Sequence, residues 1–380
     1  MKPLSAARLP AHIFTRHARV RLALEQEKID AILLTTPADL GYVTGNAWED
    51  TFGLLTLDSL TLISDFRYET ELRAEAAWAR LHIRGSKETM ADAVAAELIR
   101  HKLGRVGFES NFTPHGTAQS IAAKLKEKSR RSQPPKLVPL TDFMVNRRKV
   151  KDAIEIEAIR RAIAVAQDAY LAVRPTVKPG STENEIAGRM EYEMRRRGAS
   201  SGSFETNVGS GPASALPHYR PRETPVLANQ LLLFDWGARV GHYCSDITRT
   251  HAVGRVSPKL KEVYKLVLEA QLAAIAAIRP GLSTRAADKA ARDVIDAAGY
   301  GKQFGHGLGH GIGLAIHELP RLSRSAKPEP LEPGMVVTVE PGIYLAGEGG
   351  VRIEDDVLVT ATGCEVLTTL DKSFEGCHLE

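Results

Sequence analysis

Hydrophobic positions change their period several times along the chain. Residues 12–28 (HIFTRHARVRLALEQEK) space apolar side chains three and four apart, which predicts a helix, and 29–35 (IDAILLT) predicts a buried strand. Residues 52–57, 60–64 and 104–109 are further predicted strands, while 67–81 and 90–101 carry helical patterns rich in Ala, Glu and Arg. Strands alternating with helices predict a small α/β domain. Within it, 40–51 (LGYVTGNAWEDT) reads as an exposed loop. Its Trp48 is either a buried loop tryptophan or a residue facing a partner or covering an active site. Residues 129–139 (SRRSQPPKLVP) are basic, polar and Pro-rich, which predicts a surface connector. A long helix is expected over 152–174, with Ile154, Ile159, Ile163 and Ala166 on one apolar stripe.

The remaining chain repeats itself. Residues 177–182 (VKPGST) are echoed by 278–284 (IRPGLST), and each copy leads into a helical segment ending at a glycine, Gly198 or Gly299. Each half then carries a histidine, His218 or His317, ahead of an apolar run that ends in an acid two residues before a glycine: LLLFDWG with Asp235 and VVTVEPG with Glu340. Parallel order predicts two similar α/β halves about a pseudo-two-fold axis, with the acids meeting between them. In the first half, 231–250 reads as a hairpin that brings Asp246 back eleven residues after Asp235. An acid ending an apolar run is partly buried, so it must find a cation or take up a proton.

Composition narrows the field. A chain of 380 residues has room for two domains, drawn here at 1–140 and 141–380. The net charge of +4 is small, and the basic clusters at 124–131, 147–151 and 195–197 contain no aromatics; they read as solvated helix faces, so nucleic acid is not an expected partner. Three cysteines, Cys244, Cys364 and Cys377, are too few for a disulfide framework and suit a reducing compartment. The first twenty residues do not form a signal peptide, and no window approaches the roughly 18 apolar residues that span a bilayer. A soluble cytoplasmic protein without membrane partners is expected.

Four acids, Asp235, Asp246, Glu340 and Glu354, and one histidine, His310, make a set suited to two metal ions. Carboxylates suit hard ions such as Mn2+, and an imidazole keeps Co2+, Fe2+ or Zn2+ open. Each residue also has a plainer reading. Asp246 could pair with Arg249, Glu340 could be a turn acid, Glu354-Asp355-Asp356 could be solvated, and His310 could be a glycine-loop histidine. Their matching places in a repeated domain favour metal. The loop 304–318 (FGHGLGHGIGLAIHE) lacks the Gly-Lys-Ser/Thr of a phosphate cradle. Its glycines instead let backbone approach a ligand closely.

In order and spacing, FDWGA…SDITRT, GHGLGHGIGLAIHE, VEPGIY and VRIEDD resemble the pita-bread metallopeptidases of the aminopeptidase P and prolidase group. The likeness runs from a creatinase-type N-terminal domain to EVLTT at 365–369. It implies an α/β (α+β) fold in which that small domain precedes a pseudo-two-fold pita-bread catalytic domain. The activity implied is a dinuclear-metal exopeptidase acting at Xaa-Pro bonds, as a dipeptidase or an aminopeptidase P. By resemblance Asp235 and Asp246 bind one metal, Asp246 and Glu354 bridge, and His310 and Glu340 complete the second. Glu340 shuttles the proton, His218 and His317 orient substrate and stabilise the tetrahedral intermediate, Arg352 holds Glu354 or a nearby carboxylate, and His306 lines the pocket. A homodimer or homotetramer and a proline-containing peptide are the implied partners.

One departure stands out. His218 is followed by Tyr219-Arg220-Pro221-Arg222, where many members of the group carry a glycine. Tyr219 and Arg220 beside that histidine could clamp a substrate carboxylate, which would make the protein a proline-specific carboxypeptidase. The complete ligand set counts against a non-catalytic pita-bread binding protein, and equally against a metal-free creatinase-like hydrolase. Methionine aminopeptidases share the ligands but normally lack such an N-terminal domain.

Overall fold

The computed structural model describes residues 9–129 and 133–379, and the chain divides after Arg147 into two units. In the first, α1 (Ala11–Gln26) is followed by β1 (Ala31–Leu34), α2 (Pro37–Thr44), β2 (Phe52–Thr56), β3 (Leu60–Asp65), α3 (Glu69–Glu75) and β4 (Arg80–Arg84). Then come α4 (Met90–Arg100), β5 (Arg105–Glu109), α5 (His115–Lys128), β6 (Lys136–Leu140) and α6 (Phe143–Arg148), which ends at the join. The strands form one mixed sheet in the order β4-β3-β2-β1-β5-β6. Leu33, Leu54, Ile63 and Val106 pack in its core with Val94 and Leu98 of α4 and with Ile121 and Leu125 of α5.

The helix expected over 67–81 is shorter than its composition suggests. Ala76 leaves helical geometry at φ −125°, ψ 35°, and Leu81 and His82 pair with Leu62 and Ile63 as β4 joins the sheet. Ladder bonds along β3 override the helical propensity of the Ala/Glu/Arg run. The connector expected over 129–139 ends in β6, parallel to β5 at the sheet edge, where a proline is tolerated; Arg130, Arg131 and Ser132 lie outside the described residues. The loop expected over 40–51 loses its first residues to α2, and Trp48 is 3% exposed with Nε1 donating to Glu71 at 3.0 Å. That decides for the buried tryptophan.

The second unit builds one motif twice. Its first half comprises α7 (Ala153–Val173), α8 (Glu183–Arg196), β7 (Ser201–Gly202), β8 (Asn207–Ser210), β9 (Gln230–Trp236), β10 (Ala238–Val240), β11 (Tyr243–Cys244) and β12 (Ile247–Val253). Its second half comprises α9 (Pro258–Ala277), α10 (Thr284–Ala297), β13 (Gly309–Gly311), β14 (Glu318–Leu322), β15 (Val336–Val339), β16 (Gly342–Leu345), β17 (Gly349–Arg352) and β18 (Asp355–Val359). The short strands β19 (Cys364–Val366) and β20 (His378–Leu379) follow. Antiparallel triplets β8-β9-β12 and β13-β15-β18 carry the acids in corresponding places.

The echoed segments fold alike. Gly180 and Gly281 take φ +93° and +82°, which glycine adopts without strain. Thr182 and Ser283 cap α8 and α10, and each bridges an antiparallel partner, Pro225 or Pro330. The halves are tied where Glu354 donates its N–H to Thr248 O at 3.1 Å. On α7, Asp152 and Glu155 form a capping box, and Ile159, Ile163 and Ala166 are buried. Ile154 is 52% exposed instead, being five residues before Ile159 and therefore off the stripe. No helix among the described residues is long and apolar enough to cross a membrane.

Candidate metal centre

The acids stand at the ends of paired strands. Asp235 is the penultimate residue of β9 and lies opposite Thr248 of β12. Asp246 directly precedes β12, Glu340 follows β15, Glu354 precedes β18, and His310 is the middle residue of β13. One oxygen each from Asp235, Asp246 and Glu354 falls within 4.8 Å of the others. His310 Nε2 lies 3.6 Å from Asp246 Oδ2 and 3.4 Å from Glu340 Oε1, joining the other two to that group. Asp246 and Glu354 are buried, while Asp235, His310 and Glu340 keep 14–17% of their side chains open to solvent. The cluster thus has a closed floor and an accessible rim.

Its electrostatics call for a cation. Burial raises the carboxyls of Asp235, Asp246 and Glu354, and that of Glu340 to about 7. Like charges add to the rise: Glu354 acts on Asp246, and Glu340 acts on Glu354. Against four carboxylates stands the guanidinium of Arg352, whose Nη2 donates to Asp235 Oδ2 at 2.5 Å. Burial pushes the His310 imidazole down to about 3, so it is neutral. Its Nδ1–H is held by Gly311 O at 3.0 Å, which leaves the Nε2 lone pair facing Asp246 and Glu340. Clustered carboxylate oxygens with one available imidazole nitrogen fit divalent metal.

Surrounding groups aim these side chains. Arg352 Nε donates to Thr248 Oγ1 at 3.0 Å, and Thr248 in turn donates to Glu354 Oε2 at 2.6 Å. Arg352 therefore meets Asp235 directly and Glu354 through a hydroxyl. Thr338 Oγ1 accepts from His310 N at 3.1 Å and donates to Glu340 Oε1 at 3.2 Å. Asp356 Oδ2 accepts the N–H of Asp246 at 3.1 Å. None of Thr248, Thr338, Tyr344 or Asp356 was singled out from sequence. Thr338 carried a usable signal, two residues before Glu340 at the end of the strand.

Two plainer readings fall. Arg249 pairs with Asp355 Oδ1 at 2.8 Å and donates to the carbonyls of Thr248 and Glu354, so it does not neutralise Asp246. Glu354, Asp355 and Asp356 are 2%, 0% and 0% exposed, so they are not a solvated run. The glycines beside His310 have a steric reason. A Cβ on Gly309 would lie 2.0 Å from Thr338 O, and one on Gly311 would lie 2.2 Å from Leu319 O. Only bare backbone lets β13 insert between β14 and β15.

The other singled-out residues surround the cluster unevenly. The His317 ring packs edge-on against His310 with centroids 4.4 Å apart. His218 is exposed on the loop after 211–215. His306 Nε2 accepts from Tyr344 OH at 2.9 Å, and that hydroxyl accepts from Arg352 Nη1 at 3.0 Å. Tyr219 spends its hydroxyl on Glu183 Oε2 at 2.7 Å, while Arg220 is 83% exposed and pairs with Glu205 at 3.2 Å. The bonds that these two side chains make thus lead away from the acid cluster.

The chain is similar over most of its length to known proteins. A sequence model of metallopeptidase family M24 matches residues 157–361, and one of the creatinase/prolidase N-terminal domain matches 16–150. The Xaa-Pro dipeptidase of Pyrococcus horikoshii is 36% identical over 352 residues, 92% of this chain and 96% of that protein. Among solved structures, an Xaa-Pro dipeptidase from Bacillus anthracis is similar with a TM-score of 0.89 at 37% identity, covering 97% of this chain and 100% of that one. An X-Pro aminopeptidase from Thermotoga maritima is similar with a TM-score of 0.83 at 35% identity, covering 92% and 99%.

Proposed function

The chain belongs to metallopeptidase family M24, and on that premise we propose that it is an Xaa-Pro dipeptidase working with two divalent metal ions. The observation that carries this reading is the clustering of acids from two halves, Asp235 and Glu354 beside Asp246, with Asp246 and Glu340 facing the lone pair of a neutral His310. Asp235 and Asp246 would hold one ion and His310 and Glu340 the other, with Asp246 and Glu354 shared. The oxygen-rich set favours Mn2+ ahead of Co2+, Zn2+ or Fe2+. When bound, the ions polarise the scissile carbonyl and make water nucleophilic near neutral pH.

The protein's own groups do the rest. Glu340 accepts the proton of the attacking water on a carboxylate oxygen. It then returns that proton to the leaving proline nitrogen, which has no hydrogen of its own in the peptide. His317 offers an N–H to the carbonyl oxygen as negative charge develops there. His218 orients the peptide from the facing loop. Arg352 keeps Asp235 ionised and aimed, and His306, backed by Tyr344, lines the space for the pyrrolidine ring.

The second reading, an X-Pro aminopeptidase, is favoured by the likeness to the Thermotoga maritima structure. Product analysis on the Mn2+-loaded protein separates the readings with Xaa-Pro, Xaa-Pro-Yaa-Zaa and a long peptide ending in proline. The dipeptidase reading expects cleavage of the first alone, and release of the first residue of the tetrapeptide makes it an aminopeptidase. Release of terminal proline from the long peptide, lost in Arg220→Ala, assigns the carboxylate clamp. Metal-loaded protein that leaves all three intact refutes the peptidase. The free state of Cys244, Cys364 and Cys377 supports a cytoplasmic enzyme. A homodimer or homotetramer is expected, and light scattering that finds an active monomer overturns it.

A further inference from the structure

Glu318 follows His317 in the chain and faces the other way. It is 4% exposed where His317 is exposed, the alternation expected as β14 begins. Three donors share its carboxylate: Arg148 Nε to Oε1 at 3.0 Å, Ala315 N–H to Oε1 at 3.1 Å and Lys151 Nζ to Oε2 at 3.2 Å. The Glu318 and Lys151 side chains are each 1% exposed and that of Arg148 is 5% exposed. Burial works against the charge on Glu318, yet Lys151 and Arg148 hold its carboxyl below the usual range.

The cluster is built into the loop that carries His317. The bond from Ala315 closes a ring across 315–318, so the backbone from which His317 projects is fixed from inside. Gly313 leaves room for it: a Cβ there would lie 2.8 Å from Glu318 Oε2 and 3.1 Å from Lys151 Cε. Lys151 is itself placed by backbone, with its N–H on Gly334 O at 2.9 Å just before β15. The flanks are tied as well, with Cys244 N on Gly313 O at 2.8 Å and Arg239 Nη1 on Leu314 O at 3.0 Å. Desolvating three charges stabilises less than an apolar core of the same volume would, so such a cluster points to a demand for geometry.

We propose that Glu318, gripped by Lys151 and Arg148, is the positioning residue that sets the orientation of His317 toward the substrate carbonyl. The proposal rests on the peptidase reading and concerns how one of its histidines is aimed. Glu318 touches no reacting atom.

The test compares parent, His317→Ala, Glu318→Gln and the double variant on an Xaa-Pro dipeptide, with metal content and melting temperature measured for each. His317→Ala is expected to lower kcat by about 100-fold. Glu318→Gln is expected to lower it by about 10-fold, with KM and metal content near parent, and the double variant should fall no further than His317→Ala alone. A parent-like kcat in Glu318→Gln, or losses that multiply in the double variant, overturns the proposal. Should Glu318→Gln fail to fold, Lys151→Met keeps the Arg148 and Ala315 contacts and is expected to lose about 3-fold in kcat, again only while His317 is present. The 15N imidazole signal of His317 in metal-free protein, assigned by its absence from His317→Ala, should shift in Glu318→Gln; an unmoved signal counts against the proposal. If the parent cleaves no Xaa-Pro peptide, the peptidase reading has failed, and the imidazole signal alone decides whether Glu318 positions the ring.

Discussion

At the scale of single residues, the charge balance of the centre turns on Arg352. Its guanidinium reaches Asp235, Thr248 and Tyr344 at once, which an ammonium on a flexible stem cannot reproduce. Arg352→Met leaves a buried carboxylate without its cation, and metal affinity and kcat/KM are expected to fall by about 10- to 100-fold. Metal titration alongside steady-state kinetics checks this, and unchanged affinity would show that Asp235 holds its place unaided. Asp235 and Glu340 were legible in the sequence because an acid ending an apolar run is conspicuous. Thr248 was not, since a threonine in a strand is ordinary until its hydroxyl is seen between Arg352 and Glu354. Arg249 was legible as a cation near Asp246 but misleading as to its partner, because the strand turns it towards Asp355.

At the scale of elements, two strands carry constraints that their lengths hide. β13 holds His310 between two glycines because neighbouring backbone leaves no space for a Cβ. Gly309→Ala is expected to part β13 from β15, with a loss of about 1–3 kcal/mol in denaturant melts and weaker metal binding. A variant with parent stability and metal content would rule out that steric reading. On β12, His251 is fully buried, and burial pushes its imidazole down to about 3. It accepts from Tyr170 OH at 3.0 Å and its other nitrogen meets Cys377 O at 3.1 Å. A depressed pKa means that the unfolded chain binds the proton first. The stability of the neutral form is complete above the unfolded value near 6.5 and is lost as pH falls towards 3, by roughly 1.4 kcal/mol per pH unit. His251→Gln should flatten that part of the stability curve, and an unchanged slope would place the acid sensitivity elsewhere.

At the scale of the molecule, the second unit works as a device for crowding like charges. Each half delivers two acids, and tying β12 to the segment before β18 brings Asp246 and Glu354 to one floor. Chelation exposes this. Without a cation, Asp235, Asp246, Glu340 and Glu354 all have raised carboxyls. A raised folded value favours the fold at low pH and is lost as pH rises through it, about 7 for Glu340. The melting temperature of chelated protein is therefore expected to fall as pH rises from about 4.5, the ordinary carboxyl value, towards 7, while that of metal-loaded protein holds. Parallel curves in calorimetry would mean that the acids share no cation.

The sequence by itself determined the repeated architecture and the residue types that meet in the acid cluster. Periodicity, Pro-Gly punctuation and acids after apolar runs are local features that the chain must show wherever those elements form. It did not determine whether 67–81 stayed helical, because sheet pairing with β3 is supplied by residues elsewhere in the chain. Nor could it say that Glu318 closes a ring on Ala315, or that Arg352 reaches Glu354 through Thr248. Those pairings join segments up to about a hundred residues apart and depend on strand register, where a shift of one residue turns a side chain to the opposite face. Only the tertiary structure decided them.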